Sequence, residues 1–266
     1  MTKLRVTIIQ TELFWEDVDR NLSHFTDKIS AISETTDLIV LPEMFTTGFT
    51  MNPEKNAEHI NGKGYNWMIE TARKKNCVVC GSISVNVENK FFNRLYWVRP
   101  DGTFNFYNKR HLFRMAGEDK HYQCGSEQVI VELKGWKINL QICYDLRFPV
   151  YSRNRWDSKN NFSAEYDLML YVANWPEVRS HPWNTLLLAR AIENQCFVVG
   201  VNRIGADGNG IAHSGNSVVI NPRGELLSKV NPHEDKTETV EIDINYLHEF
   251  RKQFPVGMDA DDFNLL

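Results

Sequence analysis

The stretch INLQICYDLRFP, residues 138–149, decides the fold because an apolar strand in it ends on a thiol. The run INLQI predicts a buried strand that leads directly into Cys143, and Tyr144, Asp145 and Arg147 follow at once. In open α/β sheets, ligand sites form beyond the carboxyl ends of the strands. The stretch therefore predicts an α/β sheet with a reactive side chain at the end of one strand, and we expect Asp145 and Arg147 to hold the turn by hydrogen bonds.

The first half of the chain alternates between strand and helix patterns. Apolar runs that predict strands are LRVTIIQ (4–10), DLIVLPE (37–43) and CVVCGSISV (77–85). Runs with apolar residues at helical spacing are NLSHFTDKISAIS (21–33) and NWMIETARKKN (66–76). An aromatic-rich hairpin around Arg-Pro-Asp-Gly follows at 93–109. This β-α-β-α-β order predicts a parallel or mixed sheet covered by helices.

The second half repeats this order. Its predicted strands and helix are VIVELKGWKINLQIC (129–143), YDLMLYVAN (166–174), WNTLLLARAIENQ (183–195), FVVGVNRIG (197–205) and GNSVVINPRGELLSKV (215–230). No short-period repeat or low-complexity linker separates the halves. We therefore expect a single domain over residues 1–266, built from two similar halves.

Composition and charge exclude several classes of protein. The chain is 42% hydrophobic and 24% charged, as in ordinary globular proteins, and its net charge of −4 disfavours a nucleic-acid binder. No segment approaches the roughly 20 apolar residues that cross a bilayer, and the N-terminal stretch lacks the pattern of a signal peptide. We expect a cytoplasmic protein that binds neither nucleic acid nor membrane.

The five cysteines do not predict a disulfide framework, since their number is odd and no secretory signal accompanies them. The pair Cys77 and Cys80 has C-x-x-C spacing, but the two valines between them favour a buried strand over a zinc site. A redox sensor that uses this pair is an alternative.

Three predicted strands or hairpins end on a chemically active side chain. Glu43 follows Pro42 at the end of one strand, Lys109 ends the first hairpin, and Cys143 ends the strand INLQI. Each residue alone has an ordinary structural explanation, either core packing or a solvated turn. Together, a carboxylate, an ammonium and a thiol beyond the ends of strands in an α/β fold could converge at one ligand site.

The segments LPEMF (41–45), YNKRHLF (107–113) and CYDLRFP (143–149) resemble the three signature segments of the nitrilase superfamily, the carbon–nitrogen hydrolases. Their order and separations of 66 and 34 residues between Glu43, Lys109 and Cys143 are similar to the family pattern. Glu118, 25 residues before Cys143, matches a second family glutamate. The resemblance implies a four-layer αββα sandwich.

The same resemblance implies roles for these residues. Cys143 would attack an amide carbonyl, Glu43 would act as general base and then general acid, and Lys109 would stabilise the oxyanion together with the backbone N–H of Tyr144. Glu118 would orient Lys109 or the substrate amide.

Within the superfamily the chain is most similar to bacterial ω-amidases, through KRHLFRMA, CYDLRFPV, LYVANWP and ARAIENQ. Such a protein would cleave the terminal amide of small ω-amido keto acids, 2-oxoglutaramate and 2-oxosuccinamate, to ammonia and a dicarboxylate through a thioester. A cation should bind the substrate carboxylate, because arginine forms a planar bidentate pair with it. Residues predicted to bind substrate are Arg147, Asn174, Trp175, Arg179 and Phe45, with Arg203 and Phe49 as weaker choices.

The resemblance implies no cofactor and no metal, and the histidines show no metal-ligand spacing. It implies a homodimer or higher homo-oligomer. The C-terminal residues, about 250–266, would form either a free tail or an arm packed on a partner subunit. Two alternatives stay open: a hydrolase of an N-carbamoyl amine, aliphatic amide or nitrile, and a catalytically silent binding protein with the same fold.

Overall fold

The structure, a computed structural model, describes residues 2–157 and 163–263. Its helices are α1 Val18–Ser30, α2 Pro53–Asn56, α3 Lys63–Lys75, α4 Glu118–His121, α5 Pro149–Ser152, α6 Ser180–Glu193 and α7 Ile244–Gln253. Short 3₁₀ turns cover Arg114–Ala116, Cys143–Arg147, Glu177–Arg179 and Val256–Asp259.

The described strands, in chain order, are β1 Lys3–Gln10, β2 Leu38–Val40, β3 Glu58–His59, β4 Val78–Val87, β5 Lys90–Val98, β6 Phe104–Asn108, β7 Ile130–Leu133, β8 Trp136–Ile142, β9 Trp156–Asp157, β10 Ser163–Ala164, β11 Leu168–Ala173, β12 Phe197–Asn202, β13 Ile204–Ala206, β14 Ala212–Ser214, β15 Val218–Ile220 and β16 Lys236–Asp243.

Two sheets carry the fold, and each has a parallel centre with antiparallel edges. The first sheet has the order β16-β1-β2-β4-β5-β6, with β3 beside β4, and β1, β2 and β4 run parallel. The second has the order β15-β12-β11-β8-β7, and β12, β11 and β8 run parallel. This shared plan confirms the prediction of two similar halves.

The two sheets pack face to face through one apolar core. Leu4 and Val6 of β1 lie in the same buried cluster as Ile138 and Leu140 of β8, and all four side chains are fully buried. Alternate residues of a strand point to opposite faces, so the other face of each sheet needs its own cover.

Helices cover both outer faces. On the first sheet, Phe25 of α1 and Met68 of α3 form a second core cluster. On the second sheet, Leu187 of α6 packs directly on the backbone at Gly200, where an added Cβ would lie 2.7 Å from Leu187 Cδ1. The layers are therefore α, β, β and α, which confirms the predicted four-layer αββα sandwich.

The described part of the predicted C-terminal arm lies against its own chain. Gly257 packs so closely on the Trp156 ring that an added Cβ would overlap it, and the Arg155 guanidinium lies 5.4 Å from the centre of the Phe263 ring. Residues 264–266 of the predicted arm lie outside the described residues. Contact of this arm with a partner subunit stays a prediction.

None of the helices that the structure describes combines the length and the apolar character needed to span a bilayer.

Candidate active site

Glu43 lies just beyond the carboxyl end of β2, where Pro42 ends the ladder because it lacks an N–H donor. Its side chain is fully buried. Oε1 accepts hydrogen bonds from Lys109 Nζ (2.9 Å) and Asn93 Nδ2 (2.7 Å), and Oε2 accepts one from the Asn174 backbone N (2.7 Å). A residue of β5 and the residues directly after β6 and β11 therefore fix both oxygens of this carboxylate.

Lys109 follows β6 directly and places its ammonium between two carboxylates. Besides Glu43, Nζ contacts both oxygens of Glu118, at 3.0 and 2.9 Å. Glu118 begins the short helix α4, and its Oε2 also accepts a hydrogen bond of 2.6 Å from the Phe113 backbone N. The three side chains form a fully buried ionic cluster.

Burial and charge act in opposite directions in this cluster. Burial alone would lower the pKa of Lys109, but the negative charges of Glu118 and Glu43 outweigh it and raise the pKa above its ordinary value. Burial raises the pKa of Glu118, and the charge of Lys109 offsets only part of that rise. Lys109 therefore stays a cation at neutral pH.

Cys143 is the first residue of a 3₁₀ turn after β8, and its φ of +45° lies in the left-handed region. A non-glycine residue rarely adopts this conformation, which occurs at functional turns. Burial, followed by the negative charge of Glu43, raises the pKa of the Cys143 thiol well above its ordinary value. The free thiol is therefore protonated, and attack on a carbonyl requires a base that removes this proton.

Asp145 holds the turn, as expected, since its Oδ2 accepts a hydrogen bond of 2.9 Å from the Ile142 backbone N. Arg147, expected to do the same, instead points its guanidinium over the Trp175 ring, 5.2 Å from its centre.

A cavity of about 320 Å³ opens onto Cys143 and Lys109. Glu43 and Glu118 do not line it; they lie behind Lys109, fully buried. Of the residues predicted to bind substrate, those in the wall are Arg147, Asn174, Trp175 and Arg179, together with Tyr144 and Phe49. Wall residues that the sequence did not indicate are Phe113, Met115, Ala116, Pro176, Asp207, Ile211 and His213.

Two arginines give the cavity a positive side. Arg147 lies over Trp175, and the second arginine, Arg179, has its guanidinium 5.6 Å from the centre of the Phe113 ring. Within residues 2–157 and 163–263, neither arginine pairs with a carboxylate. Arg203 lies outside the cavity wall and donates to the backbone carbonyls of Ile204 and Ala206 instead.

Phe45, which was predicted to contact substrate, does not line the cavity. The chain turns at Met44, whose φ is +43°, and the Phe45 backbone N donates to Ser82 O of β4. Phe45 is therefore directed into the core between the first sheet and its helices, with ring contacts to Phe25 at 5.5 Å. Phe49 lines the cavity in its place, with its ring centre 5.0 Å from Lys109 Nζ.

Asn93 is a further residue of the site that the sequence did not indicate. It is fully buried on β5, and its Nδ2 lies 2.7 Å from Glu43 Oε1 and 3.4 Å from Glu118 Oε1. The available signal was a polar residue at the start of the apolar run NRLYWV, which ordinarily indicates a solvated strand end.

Cys77 and Cys80 are buried free thiols. Burial raises the pKa of Cys77 to about 12 and also raises that of Cys80. Because the thiolate is the reactive form, this environment favours a structural role over redox sensing.

No group of three or more His, Cys, Asp or Glu side chains is placed to hold a metal ion in the part of the chain that the structure describes.

Comparisons with known proteins agree with this geometry. A family model described as carbon-nitrogen hydrolase matches residues 5–252. The chain is 46% identical to omega-amidase YafV of Escherichia coli K12 over 100% of both chains, and 32% identical to a 2-oxoglutaramate amidase of Bacillus subtilis over 97% of both.

Solved structures show the same fold. The CN-hydrolase superfamily protein XC1258 of Xanthomonas campestris, which carries an arsenic adduct in its active site, matches with a TM-score of 0.97 and 41% identity over 100% of both chains. Nit3 of Saccharomyces cerevisiae, a nitrilase-superfamily member, matches in fold with a TM-score of 0.84 and 22% identity over 96% of this chain and 95% of its own. The signature segments, the sandwich and the full-length match thus agree, and this chain belongs to the carbon–nitrogen hydrolase family.

Proposed function

We propose that this protein is an ω-amidase that hydrolyses the terminal amide of small ω-amido keto acids, 2-oxoglutaramate and 2-oxosuccinamate, to ammonia and a dicarboxylate. One observation carries the proposal: a cavity with Cys143 and Lys109 in its wall also has Arg147 and Arg179 in its wall, and neither arginine forms a salt bridge with a carboxylate of the described residues. An amide that also bears a carboxylate matches this combination of nucleophile and cations.

The first half of the reaction transfers the acyl group to Cys143. Glu43 takes the thiol proton, and Sγ forms a bond to the amide carbon. Glu43 then gives this proton to the leaving nitrogen, the C–N bond breaks, and ammonia departs. The raised pKa of the Cys143 thiol makes this proton transfer necessary.

Two groups stabilise the negative oxygen of the tetrahedral intermediate. The Lys109 ammonium remains charged because two carboxylates surround it. The backbone N–H of Tyr144 is the second donor; Tyr144 belongs to the turn that begins at Cys143, and it lines the cavity. Fixed donors of this kind need no rearrangement during the reaction.

Water completes the cycle. Glu43 removes a proton from a water molecule, the water oxygen bonds to the thioester carbon, and the C–S bond breaks. The proton held by Glu43 returns to Sγ, which restores the thiol. Glu118 and Asn93 keep Lys109 and Glu43 in place through both halves of the cycle.

The arginines select the substrate. A carboxylate at the far end of the amide chain would pair with Arg147 or Arg179, while Trp175, which stacks under Arg147, and Asn174 complete the wall. Relatives whose names specify omega-amidase and 2-oxoglutaramate amidase support this choice.

A second substrate class is an amide other than these two keto-acid amides. It is favoured by a relative, 29% identical over 94% of this chain, that is named an (R)-stereoselective amidase. A test that separates the classes is a panel of 2-oxoglutaramate, 2-oxosuccinamate, an aliphatic amide, a nitrile and an N-carbamoyl amine, read by ammonia release. We expect the two keto-acid amides to give the largest kcat/KM. A larger kcat/KM for the carbamoyl amine or nitrile would refute the substrate assignment, and no turnover of any compound would favour a silent binding protein.

We further propose that the protein works in the cytoplasm as a homodimer or higher homo-oligomer. Size-exclusion chromatography with light scattering, on the full chain and on a chain ending at residue 253, tests whether the C-terminal arm contributes to assembly.

A further inference from the structure

We propose that Asp145 is a positioning residue that sets the distance between Lys109 and Cys143 across the two sheets. This inference rests on the proposed amidase function. Lys109 follows β6 of the first sheet, whereas Cys143 follows β8 of the second. The hydrogen bonds within either sheet do not fix one of these residues relative to the other, so a link between the sheets is needed at the site.

Asp145 supplies this link through both of its carboxylate oxygens. Oδ2 accepts hydrogen bonds from the Ile142 backbone N (2.9 Å) and the Tyr107 hydroxyl (2.8 Å). Oδ1 accepts one from the His111 backbone N (3.0 Å) and lies 2.7 Å from His111 Nδ1. The Asp145 side chain is fully buried, so water does not compete for these bonds.

The hydrogen-bond partners of the Asp145 carboxylate lie on both sides of Lys109 and directly before Cys143 in the sequence. Tyr107 and His111 lie two residues before and two residues after Lys109, and Ile142 directly precedes Cys143. One carboxylate thus holds both sides of the lysine and the backbone that enters the nucleophile turn.

The conformation of Cys143 requires such support. Its φ of +45° is unfavourable for a residue with a Cβ, and strained backbone persists only where surrounding contacts over-determine it. The hydrogen bond that the Ile142 backbone N–H donates to Asp145 Oδ2 lies within this turn and stabilises it. Directly after the turn, the Phe148 ring stacks on the His111 ring, with the two ring centres 3.8 Å apart.

The test is Asp145→Asn, which keeps the size of the side chain. The Asn amide nitrogen is a donor and cannot accept from the N–H and O–H groups that face Asp145. We expect kcat on 2-oxoglutaramate to fall about 10²-fold, since a displacement of about 1 Å has this effect on well-oriented groups, while KM changes less than about 2-fold.

A matched control is Asp167→Asn. Asp167 is also buried, and it also accepts from a backbone N, that of Lys137 (3.1 Å), and from Arg251 Nη1 (2.7 Å). It lies outside the cavity that contains Cys143. We expect its kcat to match the wild type even where its thermal stability falls.

The cysteines provide a second readout that needs no substrate. Peptide mapping after a timed reaction with iodoacetamide reports each thiol separately. Exposed Cys124 serves as the reagent control, and buried Cys77, Cys80 and Cys196 stay unlabelled only in folded protein. In Asp145→Asn we expect labelling of Cys143 about 10-fold slower than in the wild type, with the buried three still protected.

The outcomes separate the two proposals. A wild type that releases no ammonia from any amide refutes the proposed function, and the labelling of Cys143 still tests Asp145. Asp145→Asn with wild-type kcat and labelling, or an equal loss of kcat in Asp167→Asn, overturns the positioning role. If the buried cysteines become labelled in Asp145→Asn, that variant is not correctly folded. Tyr107→Phe, which removes only one hydrogen bond to Asp145, then tests the positioning role. We expect about a 3- to 10-fold loss of kcat at unchanged KM from the loss of one hydrogen bond, and wild-type kcat would refute the inference.

Discussion

Replacement of Lys109 by Met tests the ionic cluster at the centre of the site. The ammonium lies 2.9 Å from one oxygen of Glu43 and 2.9 Å from one oxygen of Glu118, and all three side chains are fully buried. Removal of one partner leaves uncompensated buried charge, which typically costs about 3–5 kcal/mol. We expect Lys109→Met to lower the free energy of unfolding by about this amount.

Activity should fall for a different reason. In the proposed mechanism Lys109 supplies the fixed positive charge at the oxyanion, and the loss of one such donor typically lowers kcat by about 10²–10³-fold. The double variant Lys109→Met/Glu118→Gln separates the two effects. It removes one of the orphaned carboxylates, so part of the lost stability should return while kcat stays as low as in Lys109→Met.

The pH dependence of Lys109→Met follows from Glu118. Burial raises the pKa of Glu118 above its ordinary 4.5, and the charge of Lys109 restrains that rise. Without Lys109 the folded-state pKa is higher still. A carboxyl group with a raised folded-state pKa destabilises the folded state as pH rises above the unfolded value. The stability deficit of Lys109→Met should therefore be smallest near pH 4.5 and should grow toward neutral pH.

Urea unfolding followed by tryptophan fluorescence, at several pH values, measures these stabilities, and ammonia release measures kcat. A Lys109→Met variant as stable as the wild type at pH 7 would show that the buried carboxylates do not depend on Lys109. The proposed role of the ionic cluster would then fail. It is also refuted if the double variant regains activity, because charge at the oxyanion would then be dispensable.

Three further predictions concern single residues. Glu43→Gln, which keeps size but removes the base, should lower kcat by about 10²–10⁴-fold; an unchanged kcat would remove Glu43 from the proton transfers. Arg147→Met and Arg179→Met are compared by KM for 2-oxoglutaramate. At least one should raise it about 10-fold or more, and the assignment fails if neither does. Burial lowers the pKa of His213 to about 4 from 6.5, so the folded state loses stability as pH falls from 6.5 to 4. His213→Gln should flatten this slope in urea unfolding curves, and an unchanged slope would show that another group titrates.

The sequence predicted best what depends on local pattern. An apolar run followed at once by a polar residue marks a strand end, and this pattern placed Glu43, Lys109 and Cys143 after predicted strands. Their common site was implied by the family resemblance, and the structure places Lys109 and Cys143 in one cavity wall. The alternation of strands and helices similarly indicated sheets covered by helices, whereas the four-layer sandwich was implied by the family resemblance. The strand and helix patterns are local, because each lies within a single element.

The sequence predicted worst what depends on one residue's direction or on distant partners. Phe45 and Phe49 have the same chemistry and lie in the same loop, and the left-handed turn at Met44 decides which one reaches the cavity. Asn93 is 50 residues from Glu43, and no local pattern reveals that pairing. Asp145 likewise gains its role from segments 34 and 38 residues away.

The central claim is that Cys143 carries the acyl group during turnover. The direct measurement is rapid acid quench of the protein during steady-state hydrolysis of 2-oxoglutaramate, followed by peptide mass spectrometry. We expect an acyl adduct on the Cys143 peptide that hydroxylamine removes and that Cys143→Ala lacks, together with loss of ammonia release in that variant. Ammonia release by Cys143→Ala at the wild-type rate would contradict the claim.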